Sequence, residues 1–195
     1  CTPTRTQDRN TFYYGQEPQD EMVNEPDTDF DRFCNQEWVE KIFETWKSKG
    51  VMSFKKSEWG NWKPGDLLPT QVGNELVYND DHAKYYDRSQ EGDVLVCEMS
   101  RANKAQTEKI LEIADADPAG WRKTTIEERH RIMYKAANLM GNMRADLNGS
   151  MCAITGKTIE EADVEVSEAI DYCRFYTTTM KKYAALGDVE MQAKG

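Results

Sequence analysis

No run of about 18 consecutive apolar residues occurs in the 195-residue chain, which excludes a membrane-spanning helix. Basic charge is in short supply: 25 Lys and Arg stand against 35 Asp and Glu, for a formal net charge of −10, and no basic face carries interleaved aromatics. Such a surface repels nucleic acid and anionic membranes before contact. Histidine is limited to His82 and His130, and the five cysteines, Cys1, Cys34, Cys97, Cys152 and Cys173, are widely spaced without a CxxC pair. That pattern offers no ligand set for structural zinc or another metal and reads as a reduced, cytoplasmic protein. The opening CTPTRTQDRN has neither the basic nor the apolar region of a signal peptide, so the sequon Asn148-Gly149-Ser150 carries no weight. It also does not start on Met, which fits a fragment or a processed chain. No self-similarity at 20 to 50 residues is present, which rules out repeat architectures.

What is present is globular: 38% hydrophobic and 31% charged residues, with a mean hydropathy of −0.82 that leaves much surface wet. The length suits one core or a slice of a larger one. Residues 1–30, rich in Gln, Asp, Glu, Pro and Asn without period, read as an extended segment that wraps rather than folds. Residues 31–195 read as one continuous unit. Trp38, Val39, Ile42, Phe43 and Trp46 recur at helical spacing up to a stop at Gly50, and residues 51–70 form a breaker-dense loop with Trp59 and Trp62 as aromatic anchors. Gln71–Tyr78 and Gly92–Met99 are candidate strands separated by Asn79-Asp80-Asp81, with a further short strand at Tyr85-Tyr86.

The rest is helical. A helix over about Asn103–Asp115 ends at Asp117-Pro118-Ala119-Gly120. Thr125-Ile126-Glu127-Glu128 is a capping box opening a helix whose Ile132, Ala136, Leu139, Met140 and Met143 form an apolar stripe. A piece over about Arg144–Ile154 stops at Gly156, and a second capping box, Thr158-Ile159-Glu160-Glu161, opens the longest helix, running to about Tyr183.

Gly156-Lys157-Thr158 is no phosphate loop: the required earlier glycine would fall at Met151, and the preceding segment is helical. Cys97, Cys152 and Cys173 read as small core residues rather than nucleophiles, and His130, inside Glu127-Glu128-Arg129-His130-Arg131, as part of a solvated face. Glu160, Glu161, Asp163 and Glu165 read as acids complementing the helix dipole. Glu168 differs. The main stripe of its helix is Ala162, Val166, Ala169, Ile170 and Cys173, and roughly opposite runs a second line, Val164, Glu168, Tyr172 and Phe175. A carboxylate among apolar and aromatic neighbours suits a half-apolar pocket that favours a cationic group; an exposed acid with incidental neighbours is the plainer alternative.

The stretches GWRKTTIEERHRIMYKAANLM and GKTIEEADVEVSEAIDYCRFYTTTM resemble the opening helices of the aldehyde dehydrogenase superfamily. The pattern is carried by Trp121, Glu128-Arg129, Ala136-Ala137, Gly156-Lys157, Glu161-Ala162 and Arg174-Phe175-Tyr176, and GNELVY, YYDRS and GDVLVCEMS are similar to the small strands that open that fold. The resemblance covers about residues 71–195. NEPDTDF and the helix beginning Asn35-Gln36-Glu37-Trp38 resemble one subgroup, the glutamate-semialdehyde (pyrroline-carboxylate) dehydrogenases, including the dehydrogenase half of bifunctional proline-oxidising proteins, and extend the likeness back to about residue 20.

The resemblance implies an α+β fragment, helices packed around a small antiparallel sheet, from the front of an α/β dehydrogenase fold. It implies NAD as cofactor, a small aldehyde as substrate, the remainder of the dehydrogenase chain as partner, and a homo-oligomer assembled near Gly187–Gly195. It also implies that Glu168 holds the substrate's α-ammonium. The chemistry implied for the whole enzyme is thiolate attack on the aldehyde, hydride transfer to NAD and hydrolysis of the thioester. None of the five cysteines sits in the nucleophile's motif, so no catalytic or NAD-binding residue is assigned within the chain, which by itself should be inactive. The rival readings are a catalytically empty helical interaction module and a dehydrogenase for another aldehyde.

Overall fold

The computed structural model describes residues 6–12, 14–15, 17–49 and 67–186. Helix α1 spans Phe33–Lys49. Five short strands follow, β1 (Leu67–Leu68), β2 (Thr70–Val72), β3 (Glu75–Val77), β4 (His82–Tyr86) and β5 (Leu95–Ser100). Then come α2 (Lys104–Ala116), a 3₁₀ turn at Trp121–Lys123, α3 (Ile126–Asn142), α4 (Arg144–Thr155) and α5 (Ile159–Ala184). The expected α+β class holds. Of the loop expected over residues 51–70, residues 51–66 lie outside the described residues, as does the tail over residues 187–195, while Leu67–Leu68 and Thr70 belong to strands.

The stretch Gln71–Tyr78 is not one strand but an antiparallel hairpin, with Thr70 opposite Val77 and Val72 opposite Glu75. Gly73-Asn74 supplies the two-residue turn that the reading of one continuous strand passed over. The other sheet has β5 at its centre, antiparallel to β4 and parallel to β1, so it is mixed rather than purely antiparallel. β4 begins at His82, three residues before Tyr85, because its polar residues have a partner across the ladder. Lys84 stands opposite Glu98, and His82 Nε2 lies 2.5 Å from the same carboxylate.

The helix ends follow their capping chemistry. Asn103 and Gln106 close a reciprocal capping box at α2, and Thr158 and Glu161 do so at α5. At α3 only half of the box forms: Thr125 accepts from the Glu128 amide, while the Glu128 carboxylate is taken by Arg131 at 2.6 Å.

Two apolar clusters hold the helices. Trp38, Ile42 and Trp46, one face of α1, pack with Val96 of β5 and Ala153 of α4. Tyr14 packs with Ala137 of α3 and with Val166 and Ile170 of α5. Both contacts depend on glycine. A Cβ at Gly149 would lie 1.9 Å from Trp46 Nε1, and one at Gly141 would lie 2.6 Å from the Tyr14 ring.

The stripe expected on α3 is corrected. Ile132 and Leu139 are 41% and 54% exposed, and the buried residues are His130, Tyr134, Ala137 and Gly141. At 100° per residue the two sets lie on opposite sides of the helix. The inner side mixes Ala137 with the hydrogen-bonding residues His130 and Tyr134 and with Gly141, a combination that a search for large apolar residues passes over.

Candidate functional site

Residues 6–30 contain no helix or strand among those described and lie against the helices as a strap. Beyond the packed Tyr14 ring, their grip is polar. The Tyr14 amide donates to Asn142 Oδ1 and the Asn142 amide group returns a bond to the Tyr14 carbonyl, each at 2.8 Å. Glu25 is the hub: Arg144 and Arg174 each reach its carboxylate at 3.1 Å, Arg9 lies at 3.6 Å, and the Tyr14 hydroxyl donates to it. Burial, followed by that bond to Glu25, raises the Tyr14 phenol above its ordinary range.

Asp163 is the second hub and a correction. It is not an exposed acid near the helix start but a fully buried one, 2.9 Å from Arg144 and accepting from the Thr28 amide, the Thr28 hydroxyl and Asn148. Burial alone would raise its carboxyl, but the Arg144 charge and these donors hold it below the usual carboxylate range. Of the acids grouped with it, Glu161 closes the capping box and Glu165 pairs with Lys157.

His130 is also corrected from a solvated position to a buried one, 2% exposed. Its Nε2 lies 3.2 Å from the Gln19 carbonyl and its Nδ1 3.0 Å from the Thr177 hydroxyl, so it joins the strap, α3 and α5. Burial, then the charge of Lys181, lowers its pKa. Cys152 is buried and Cys97 and Cys173 are half-buried; burial raises all three thiols, the opposite of what a thiolate nucleophile needs.

These hubs set the rotation of α5. With Ala162, Asp163, Val166, Ser167, Ile170 and Arg174 turned inward, Glu168 is exposed on the far side. The structure brings together the line read from the sequence: Val164, Tyr172 and Phe175 are 50%, 51% and 46% exposed around it, and Tyr176 joins them. The Tyr172 hydroxyl donates to Glu168 Oε1 at 2.6 Å, and this bond raises the Tyr172 phenol. The Tyr172 ring stacks on Tyr176 at 5.8 Å, and Phe175 meets Tyr176 edge-on at 5.4 Å. A carboxylate beside aromatic faces is an arrangement that attracts an organic cation. The face is open to solvent rather than enclosed. Sequence reasoning missed Tyr176 and the Tyr172–Glu168 bond, although the four-residue spacing of 168, 172 and 176 was available as a signal.

Comparison with known proteins follows this geometry. The model of the aldehyde dehydrogenase family matches residues 79–194. A 1-pyrroline-5-carboxylate dehydrogenase from Geobacillus sp. (strain WCH70) is 30% identical over 118 residues, which are 60% of this chain and 23% of that protein. A 1-pyrroline-5-carboxylate dehydrogenase 1 from Halalkalibacterium halodurans is 30% identical over 116 residues, 60% of this chain and 22% of that protein. The match thus spans about a quarter of the length of these curated relatives. Among solved structures, a 1-pyrroline-5-carboxylate dehydrogenase from Thermus with bound NAD has a TM-score of 0.69 at 24% identity, covering 84% of this chain and 29% of that one. Proline utilization A from Bdellovibrio bacteriovorus has a TM-score of 0.69 at 23% identity, covering 86% of this chain and 16% of that one. These two share the fold.

Proposed function

Because the chain belongs to the aldehyde dehydrogenase family, we propose that it is the N-terminal portion of an NAD-dependent enzyme that oxidises L-glutamate γ-semialdehyde to glutamate in proline breakdown. The observation that carries the substrate is Glu168: a carboxylate on an aromatic face suits an aldehyde that also bears an ammonium group, and relatives named for pyrroline-carboxylate oxidation support the choice. Exposed apolar residues support membership of a larger fold. Ile132 and Leu139 on α3, with Met180 on α5, are exposed apolar residues that the remainder of the dehydrogenase chain would cover.

NAD is proposed for the whole enzyme, where it accepts hydride, but the described residues do not fit it. Its pyrophosphate needs a glycine-rich turn from a strand into a helix. β5 enters α2 through Arg101, Ala102 and Asn103, without glycine, and no other described strand leads directly into a helix. No chemical step is therefore assigned to this chain; its part is to present Glu168. Further copies of the whole chain as partners, and a cytoplasmic location, complete the proposal; the free state of the four described cysteines supports the latter.

The test is NAD reduction by the complete dehydrogenase, with glutamate semialdehyde and a simple aliphatic aldehyde compared side by side. Glu168→Ala is expected to lower kcat/KM for the semialdehyde by the value of a charge-assisted hydrogen bond, about 1.5 to 3 kcal/mol, relative to the aliphatic aldehyde. Equal losses on both would make Glu168 a structural carboxylate. Turnover of neither substrate by the unmodified protein would favour the interaction module.

A further inference from the structure

Glutamate has three rotatable bonds, and on an open helix face its carboxylate samples many positions, each presenting a different point to a ligand. Glu168 is held at one. Its Oε1 accepts from Tyr172 one turn further along α5, and the Tyr172 ring is held by stacking on Tyr176 after another turn. Phe175 meets the edge of Tyr176 and steadies the far end of the row. The order runs from carboxylate to phenol to phenol along one line of the helix, as residues four apart require.

Two chemical features make this row more than a surface pair. The bond to Glu168 raises the Tyr172 phenol, so it remains a neutral donor and adds no competing negative charge. It occupies Oε1 and leaves Oε2 open. Neighbouring acids of the helix are already engaged: Glu161 in the cap, Asp163 with Arg144, and Glu165 with Lys157. Among the described residues, no cation forms an ion pair with Glu168. The row therefore offers one fixed acceptor with uncompensated charge beside an aromatic face, and a primary ammonium can bond the oxygen while lying against the ring.

We propose that Tyr172 is a positioning residue that aims the Glu168 carboxylate at the ammonium group of an amino-aldehyde, so that the pair, rather than the glutamate alone, sets the preference for amino-aldehydes over uncharged ones. This rests on the reading of Glu168 given above. Tyr172→Phe keeps the ring and its stacking and removes only the tether, so the carboxylate must be ordered anew at each binding event. That ordering weakens binding about two- to tenfold, and because it concerns ground state and transition state alike, the loss falls on KM.

The experiment uses the complete dehydrogenase as wild type, Tyr172→Phe, Glu168→Gln and the double variant, each assayed for kcat and KM with glutamate semialdehyde and with an aliphatic aldehyde of the same chain length. Tyr172→Phe is expected to lower the semialdehyde-to-aliphatic ratio of kcat/KM about two- to tenfold through KM. In the Glu168→Gln background the same substitution should have little further effect, since no charged acceptor remains to be aimed. A wild-type ratio in Tyr172→Phe, with a lowered ratio in Glu168→Gln, overturns the role of Tyr172 and leaves that of Glu168 standing. Equal losses on both substrates, or independent effects in the double variant, overturn it as well, by showing a structural contribution. A ratio unchanged in Glu168→Gln overturns the reading of Glu168 and the present proposal with it.

Discussion

Asp163 shows how one residue can look ordinary in a sequence and be decisive in a fold. It lies in the second turn of α5, where an acid needs no explanation, yet it is buried against Arg144 and receives three further hydrogen bonds. Removing one member of a buried pair leaves the other uncompensated, so Asp163→Asn is expected to cost about 3 kcal/mol, read from the midpoint of chemical denaturation. The pH dependence has a definite sign. The folded carboxyl lies below its ordinary value of 3.8, so the stability it confers is full above that value and is lost as pH falls through the lower folded pKa. A wild type more acid-sensitive than Asp163→Asn, compared from pH 5 downward, is the expected result; parallel acid transitions would contradict it. The exposed row of Glu168, Tyr172 and Phe175 on the same helix was visible in the sequence because these neighbours are out of character for a wet face, whereas those of Asp163 are not.

At the scale of elements, α1 was legible from its apolar spacing, with its expected stop at Gly50 outside the described residues, and α2, α4 and α5 from their end signals. Asn103, Gly156 and Thr158 mark ends that the backbone confirms. α3 was legible in extent but not in orientation. Ile132 and Leu139 face outward, and much of its inner side is read only when hydrogen bonding is considered, since His130 and Tyr134 are buried through partners on other segments. The hairpin at Gly73 was hidden by a run of strand-forming residues. The docking points of the strap were not legible, because its polar contacts and the apolar seat of Tyr14 alike involve residues far away in sequence. His130 gives this element a pH dependence. Burial lowers its pKa from 6.5, so its contribution to docking is full above that value and declines as pH falls through the folded pKa. Amide protection of Glu25 and Thr28, whose N–H groups donate to α5, corrected for intrinsic exchange, is expected to fall across this range in wild type and to stay level in His130→Gln.

For the molecule as a whole, the strap ties distant parts of the chain into one body. Glu25 meets Arg144 and Arg174 across 119 and 149 residues of sequence, and its amide meets Asp171 across 146. The first apolar cluster spans a similar distance, from Trp38 on α1 to Ala153 on α4, whereas the second, apart from Tyr14, joins the neighbouring helices α3 and α5. Glu25→Gln is expected to speed unfolding more than tenfold while changing the folding rate by less than about threefold, because contacts of such separation form late. Stopped-flow relaxation in denaturant separates the two rates, and a comparable slowing of folding would place the hub in the nucleus instead. The same separation has a consequence during synthesis. At roughly 5–20 residues per second, Glu25 leaves the ribosome about 7 to 30 seconds before Arg174. For that interval the strap lacks its contacts with α5, and the Glu25 carboxylate waits for Arg174, one of its arginine partners, until that helix is made.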